Sequence, residues 1–336
     1  MNIKKILILI FLLFLINRKY LLNLLSIIMN KNKYINVIHI SYALDNNNFY
    51  PTLVSITSAL ENAKNFSYYN FYILISRNKT KFTNKNKRNF KNLEKIYKNC
   101  KFFIIPINDK LFKYAKIIRY PVATYYRLLL AELLPKVNKI IYLDGDTLIL
   151  SDLTEMYNLK MNNTIVMGFL DSSYELAERF NIKTFKYITA GVILINLELM
   201  RKENITEKLF KFMKKNTKLL RQEDQTIINI GLHGRIGFLP PKYGMWTFKN
   251  KKQLLFHNHY RKKNYKLACY KESELIEAYK NPGIIHYVYQ KPYKYKNYLL
   301  KTKFVIQWLY YAKKTKHFEK IIKYYNFDFN NISNLP

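Results

Sequence analysis

The chain has 336 residues, 49% of them hydrophobic, enough for a packed core and too apolar for wholesale disorder. Eight glycines and nine prolines exclude collagen-like and low-complexity architectures, and two cysteines without a CxxC spacing exclude a zinc ribbon or a disulfide framework. The 57 Lys+Arg against 22 Asp+Glu give a formal charge of +35, a field that attracts nucleic acid, anionic lipid or nucleotide phosphate. Lys, Asn, Ile, Tyr and Phe are also what an AT-rich genome encodes, so the charge by itself assigns no partner.

In chain order, residues 6–16 and 20–29 are two apolar runs separated by Asn17, Arg18 and Lys19. Neither spans a bilayer alone. Lys4 and Lys5 precede the first run, as in a signal peptide, but no small-residue cleavage site follows. The segment 1–30 therefore reads as a hydrophobic anchor or membrane-lying helix, or else Met29 is the true start.

Ile35–Ser41 is a buried strand, followed by a polar Asp45–Asn48 loop and a helix entered at Pro51 with Leu53, Ile56, Thr57 and Leu60 at helical spacing. Phe71–Ile75 is a second strand, Lys85–Tyr97 a basic solvated helix and Lys101–Pro106 a third strand. This βαβαβ order predicts a parallel sheet with crossover helices. A helix over Val122–Leu134 precedes the strand Lys139–Leu143, which runs into Asp144-Gly145-Asp146. Strands are expected at Ile165–Leu170, Val192–Asn196, Ile236–Leu239 and Gly283–Val288, and an amphipathic helix at Gln222–Leu232. Beyond Tyr293 the chain is basic and aromatic, with helical spacing at Phe304, Trp308 and Tyr311. That tail could lie on an anionic membrane, bind nucleic acid, or be a solvated helix.

Asp144 and Asp146 carry the chemistry. Ligands of open α/β sheets sit at the carboxyl ends of parallel strands. Two hard carboxylates there suit Mg²⁺ or Mn²⁺ holding a diphosphate. Asp-Gly is also a common surface turn. The apolar strand before it and Leu148–Leu150 after it favour the metal site.

The stretch 125–153, YYRLLLAELLPKVNKIIYLDGDTLILSDL, resembles the signature of the family 8 retaining glycosyltransferases: aromatic-x-Arg, helix, Leu-Pro, Lys, Tyr-Leu-Asp-x-Asp, Asp-Leu. The resemblance extends from about Asn36 to Pro292. It implies a GT-A fold, Rossmann-like, with a mixed central α/β sheet flanked by helices. The expected organisation is 1–30 hydrophobic segment, 35–292 catalytic domain and 293–336 basic helical tail.

The resemblance also implies site residues. Asp45 and Asn47 would contact uridine, with Asn46 and Asn48 standing where the family has Asp and Tyr. Arg127 would bind donor phosphate and sugar, as a guanidinium does through paired hydrogen bonds. Asp171 would lie at the sugar loop. Thr189-Ala190-Gly191-Val192 matches the family's Asn-Ala-Gly-Val turn, Thr189 replacing Asn. Asp224 and Gln225 match an acidic-amide pair near the anomeric carbon, where a carboxylate stabilises developing positive charge. His286 would be the third metal ligand and Lys291 a β-phosphate contact, with Tyr289 where the family has Gly and Tyr293 where it has Trp.

The implied activity is metal-dependent transfer of glucose or galactose, with retention, from a UDP-sugar to a lipopolysaccharide or other cell-surface glycan, including lipid-linked ones. The expected location is the cytoplasmic face of the inner membrane, peripheral or N-terminally anchored, with no specific nucleic acid. The alternatives are a basic nucleic-acid-binding protein and a family member that binds donor without transferring.

Overall fold

The computed structural model describes residues 36–45, 47–77, 84–171, 180, 187–247, 251–256, 258, 270–288, 291–293 and 303–326. The N-terminal segment, Asn46, Cys269 and Tyr289 lie outside the described residues. Strand β1 (Asn36–Leu44) leads through helix α1 (Phe49–Glu61) to β2 (Ser67–Ser76), then through α2 (Asn84–Ile96) to β3 (Cys100–Ile107). β1, β2 and β3 are parallel, in the expected βαβαβ order. They read as near-continuous apolar runs because both faces of a parallel sheet are covered. One core lies on each face, around Leu74, Tyr142 and Ile193 on one side and Phe71, Ile141 and Leu194 on the other.

β4 (Lys139–Leu143) returns to pair in parallel with the other edge of β1. The sheet order is β3-β2-β1-β4-β7-β6-β8, where β6 is Val166–Leu170, β7 Ile188–Asn196 and β8 Ile236–Phe238. Strands therefore spread outward from β1 and β4 in both directions. That switch point opens a crevice beyond their carboxyl ends, where Asp144 sits. β7 is antiparallel to β4 in a register that pairs Leu143 with Val192, so Gly191 stands beside Asp144.

Three details differ from the sequence expectation. The Val122–Leu134 helix is a 3-10 helix over Val122–Leu129 followed by one α-turn, α3 (Leu130–Leu133). Three residues per turn stack Arg127 over Thr124, whose carbonyl accepts its Nε–H at 2.8 Å. β7 begins four residues before Val192, so Thr189-Ala190-Gly191 is strand rather than turn. Finally, β5 (Thr147–Ile149) and β9 (Tyr243–Trp246) flank β10 (Ile284–His286) in a second, three-stranded sheet. β9 is too short to announce itself by pattern.

Helix α4 (Lys303–Lys314) carries Phe304, Trp308 and Tyr311, but their stripe faces inward. It packs on Val54, Leu148, Ile285 and Tyr287, and Trp308 is fully buried. Helix α5 (Phe318–Tyr324) adds Ile321 and Ile322 to the same cluster. The stripe that sequence reading offered to a membrane is thus used in packing. Among the described residues no helix is long and apolar enough to cross a membrane.

Candidate active site

Asp144 leaves β4 with its backbone N–H donating to Gly191 O at 2.7 Å. A chain of buried hydroxyls fixes the turn behind it: Tyr42 and Ser55 are 2.9 Å apart, Ser55 and Thr147 2.8 Å, and Thr147 Oγ1 donates to Asp144 O at 2.9 Å. Gly145 is required here because a Cβ would meet Thr52 Oγ1 and lie 3.4 Å from Asn48 O.

The second sheet delivers the imidazole. β10 pairs antiparallel with β5 so that His286 lies opposite Thr147, the residue after Asp146. His286 Nε2 is 3.4 Å from Asp146 Oδ1 and 3.8 Å from Asp144 Oδ2. One donor atom from each of Asp144, Asp146 and His286 lies within 4.8 Å of the others. Gly191 forms the wall facing them, since a Cβ there would be 2.6 Å from both Asp144 Oδ2 and His286 Nε2. Two carboxylates and an imidazole around a space kept clear by glycine fit a divalent cation.

Lys291 completes this side, its ammonium on Asp146 Oδ2. Burial pushes the Asp146 pKa up, but Lys291 and His286 together outweigh it and hold the carboxyl well below its usual range.

Arg127 is buried and faces inward rather than as an open fork. Its Nε–H goes to Thr124 O, Nη1 donates to Ala190 O, and Nη2 donates to Asp144 Oδ1 at 2.9 Å. The guanidinium carbon lies 4.0 Å from the centroid of the Tyr142 ring, and the Tyr142 hydroxyl donates to Asp144 Oδ1 at 3.2 Å. Asp224 Oδ2 is 3.1 Å from Arg127 Nε in charge contact, without a hydrogen bond because that N–H is aimed at Thr124. Burial raises the Asp224 pKa, Arg127 opposes this, Asp144 adds to it, and the carboxyl is pushed up to about 6.

Helix α6 (Glu223–Gly231) brings Asp224 and Gln225 to the opposite wall. Gln225 ties three elements together: Oε1 accepts from Ala190 N at 3.0 Å, and Nε2 donates to Asp171 Oδ2 at 3.0 Å and to Gln222 Oε1 at 2.9 Å. Sequence reading passed over Glu223, whose buried Oε1 accepts the backbone N–H groups of Ile118 at 3.0 Å and Arg119 at 2.6 Å. Its φ of 44° lies in the left-handed region, so the surrounding structure holds it there. The sequence offered one signal for it, a Glu in a chain with few acids.

Asp144, Asp146, His286, Lys291, Arg127, Asp171, Thr189, Ala190, Asp224 and Gln225 all line one cleft of about 290 Å³. Asp45 and Asn47 do not. Asp45 Oδ1 accepts from the N–H groups of Asn47 and Asn48 at 3.0 and 3.1 Å, closing an Asx-turn on its own loop. That loop instead abuts the far side of Gly145. A wider groove of about 1620 Å³ runs elsewhere along Asp152, Glu155, Lys242 and Gly283. Among the described residues the Asp144–Asp146–His286 group is the one set able to hold an ion, so the smaller cleft is the candidate site.

A mixed sheet whose switch point presents a carboxylate pair, with an imidazole from a second small sheet, defines the GT-A class of glycosyltransferases. The chain covers 83% of its own length and 96% of the other in superposing on galactosyltransferase LgtC in complex with donor and acceptor sugar analogs, with a TM-score of 0.64 and 19% identity, a likeness of fold. The chain belongs to glycosyl transferase family 8, whose profile matches residues 39–297. It is 31% identical over 237 residues to a putative glycosyltransferase of Haemophilus influenzae, a match spanning 68% of this chain and 67% of that protein. It is 25% identical over 224 residues to a lipopolysaccharide 1,2-glucosyltransferase of Escherichia coli, spanning 63% of this chain and 64% of that protein.

Proposed function

We propose that the protein is a divalent-metal-dependent retaining hexosyltransferase that moves glucose or galactose from a UDP-sugar to a cell-surface glycan of the lipopolysaccharide type. The observation that carries this reading is the convergence of Asp144, Asp146 and His286 donor atoms within 4.8 Å on the floor of the cleft. Asp144, Asp146 and His286 would hold Mn²⁺ or Mg²⁺, which would supply neutralisation of charge on a departing nucleoside diphosphate. Lys291 adds a positive charge beside the same diphosphate. Asp224, across the cleft, faces the region where positive charge develops at the anomeric carbon, and Gln225 holds Asp171 and Ala190 in place for the sugar. Three of the five N–H groups of Arg127 are committed to protein, so we assign it first to positioning Asp144 and Asp224, with two N–H groups left for a donor phosphate. Asp45 and Asn47, beside the cleft rather than in its lining, are assigned to the nucleoside; the Asx-turn occupies one carboxylate oxygen of Asp45.

The catalytic unit is assigned to residues 35–292, and the basic segment 293–336 to a C-terminal extension whose helices α4 and α5 pack on it. A UDP-sugar is a cytosolic donor in bacteria, which places the cleft on the cytoplasmic face of the membrane, held peripherally or by residues 1–30. The test is a screen of UDP-sugars, glucose and galactose first, for Mn²⁺-dependent release of UDP. Chelator-sensitive release supports the reading. Binding of donor without release points to a non-transferring family member, and no UDP binding together with salt-dependent DNA binding points to the nucleic-acid alternative.

A further inference from the structure

The described surface carries its exposed large hydrophobic side chains unevenly. Leu111, Tyr114, Ile117, Ile118 and Tyr120, with relative exposures of 49, 39, 61, 48 and 48%, lie within ten residues of one another, and Leu219 (38%) joins them from a second segment. The two segments touch. Thr217 Oγ1 donates to Tyr114 O and Lys116 Nζ to Lys218 O, each at 3.3 Å. Residues 110–121 contain Lys110, Lys113, Lys116 and Arg119, and 211–222 contains four lysines and Arg221; neither segment has an acid. Lys113 and Lys214 ammonium groups stand 5.0 and 5.2 Å from the Tyr114 ring centroid, which keeps positive charge over the apolar surface.

This strip ends in the cleft. Arg119, Tyr120, Arg221 and Gln222 line its mouth, and Glu223 clamps the 118–119 backbone next to Asp224. We infer that the strip formed by residues 111–120 and 214–219 docks the protein on an anionic lipid surface, with the cleft mouth at the membrane. The inference rests on the transferase reading for its purpose, a lipid-linked acceptor.

Charge and chemistry choose this occupant. Exposed aliphatic side chains ringed by lysine suit insertion at a negatively charged bilayer interface. Single-stranded nucleic acid is held by stacking on aromatics; Tyr114 and Tyr120 offer such faces, but Leu111, Ile117, Ile118 and Leu219, the larger part of the strip, do not. Protein interface cores are depleted in lysine. On the C-terminal helices the exposed large hydrophobics are tyrosines, Tyr310 and Tyr324, because the remainder of that stripe is buried.

The test is hydrogen–deuterium exchange of the full chain with phosphatidylcholine vesicles, with and without phosphatidylglycerol, and in parallel with single-stranded DNA. Slowed exchange over 111–120 and 214–219 with the anionic vesicles alone is the expected result. No slowing there, slowing confined to 303–324, or slowing with DNA and not with vesicles overturns the inference. In vesicle flotation, Lys113→Gln and Lys218→Gln should each lower the partition coefficient roughly fivefold, and Leu111→Ser with Ile117→Ser about tenfold. Mn²⁺-dependent hydrolysis of soluble donor should be unchanged in these variants. Persisting hydrolysis with no strip effect refutes the docking surface and spares the transferase. Absent hydrolysis in the parent chain with an intact strip effect does the reverse.

Discussion

Asp144 and Asp224, from the end of β4 and the start of α6, share one guanidinium: Arg127 Nη2 lies 2.9 Å from the first and Nε 3.1 Å from the second. The Asp144 side and the Asp224 side of the cleft are therefore mechanically one unit. Arg127 is buried at 3% exposure, so this link is shielded from solvent.

Replacing Arg127 should separate structure from chemistry. Arg127→Lys keeps the charge and loses the fork, and kcat should fall about tenfold or more with KM for donor nearly unchanged. Arg127→Ala strands the buried Asp224 and the half-buried Asp144 and should cost about 3–5 kcal/mol of stability, read by urea unfolding. A large rise in donor KM with unchanged kcat in Arg127→Lys would instead mean that the guanidinium grips substrate directly.

Asp144→Asn and Asp146→Asn should each lower metal-dependent UDP release by about two to three orders of magnitude. Both should weaken Mn²⁺ binding in calorimetry. Full activity in either variant, or in excess chelator, contradicts the metal site.

Gly191→Ala tests the close approach without replacing any residue of the Asp144–Asp146–His286 group. The strand accepts alanine, but the added methyl collides with His286 and Asp144. The protein should fold, with Mn²⁺ affinity reduced roughly tenfold or more. Unchanged affinity would show that the wall yields easily.

Glu223→Gln should loosen the loop it clamps. One carboxylate oxygen receives the N–H groups of Ile118 and Arg119, and charge-assisted bonds of this kind exceed neutral ones. The expected loss is about 1–2 kcal/mol in stability, with faster amide exchange over 117–121. Unchanged exchange there would remove the clamp.

Asp224 gives a pH signature in metal-free protein. Its carboxyl is raised by burial to about 6, against about 4 in an unfolded chain. The folded state binds this proton more tightly, so the associated stability is fully present below about pH 4 and lost as pH rises through about 6. Relative to Asp224→Asn, the wild type should lose on the order of 2 kcal/mol across that window. Asp146 has the opposite sign: its depressed pKa gives stability present above about pH 4 and lost on further acidification. A stability difference between the wild type and Asp224→Asn that stays flat between about pH 4 and 6 would refute the assignment.

The parallel half of the sheet was legible in the sequence because strands covered on both faces are nearly unbroken apolar runs, as β1, β2 and β4 are. The Asp-Gly-Asp turn was legible because carboxylates are scarce in so basic a chain. The helical spacing of Phe304, Trp308 and Tyr311 was legible too, but not the side it faces. Periodicity defines a stripe and leaves open whether protein or solvent meets it.

What the amino-acid sequence determined by itself is the βαβαβ order of the parallel half of the sheet and the kinds of side chain available for chemistry, since these follow from short-range pattern and composition. Tertiary structure alone decided that His286 meets Asp146, that Arg127 turns inward to two carboxylates, that Asp45 and Asn47 stand outside the cleft, and that Glu223 holds a loop a hundred residues away in the chain. Each depends on strand register or on which buried charge finds a partner. Those outcomes are set by packing between distant segments and leave no local periodic trace.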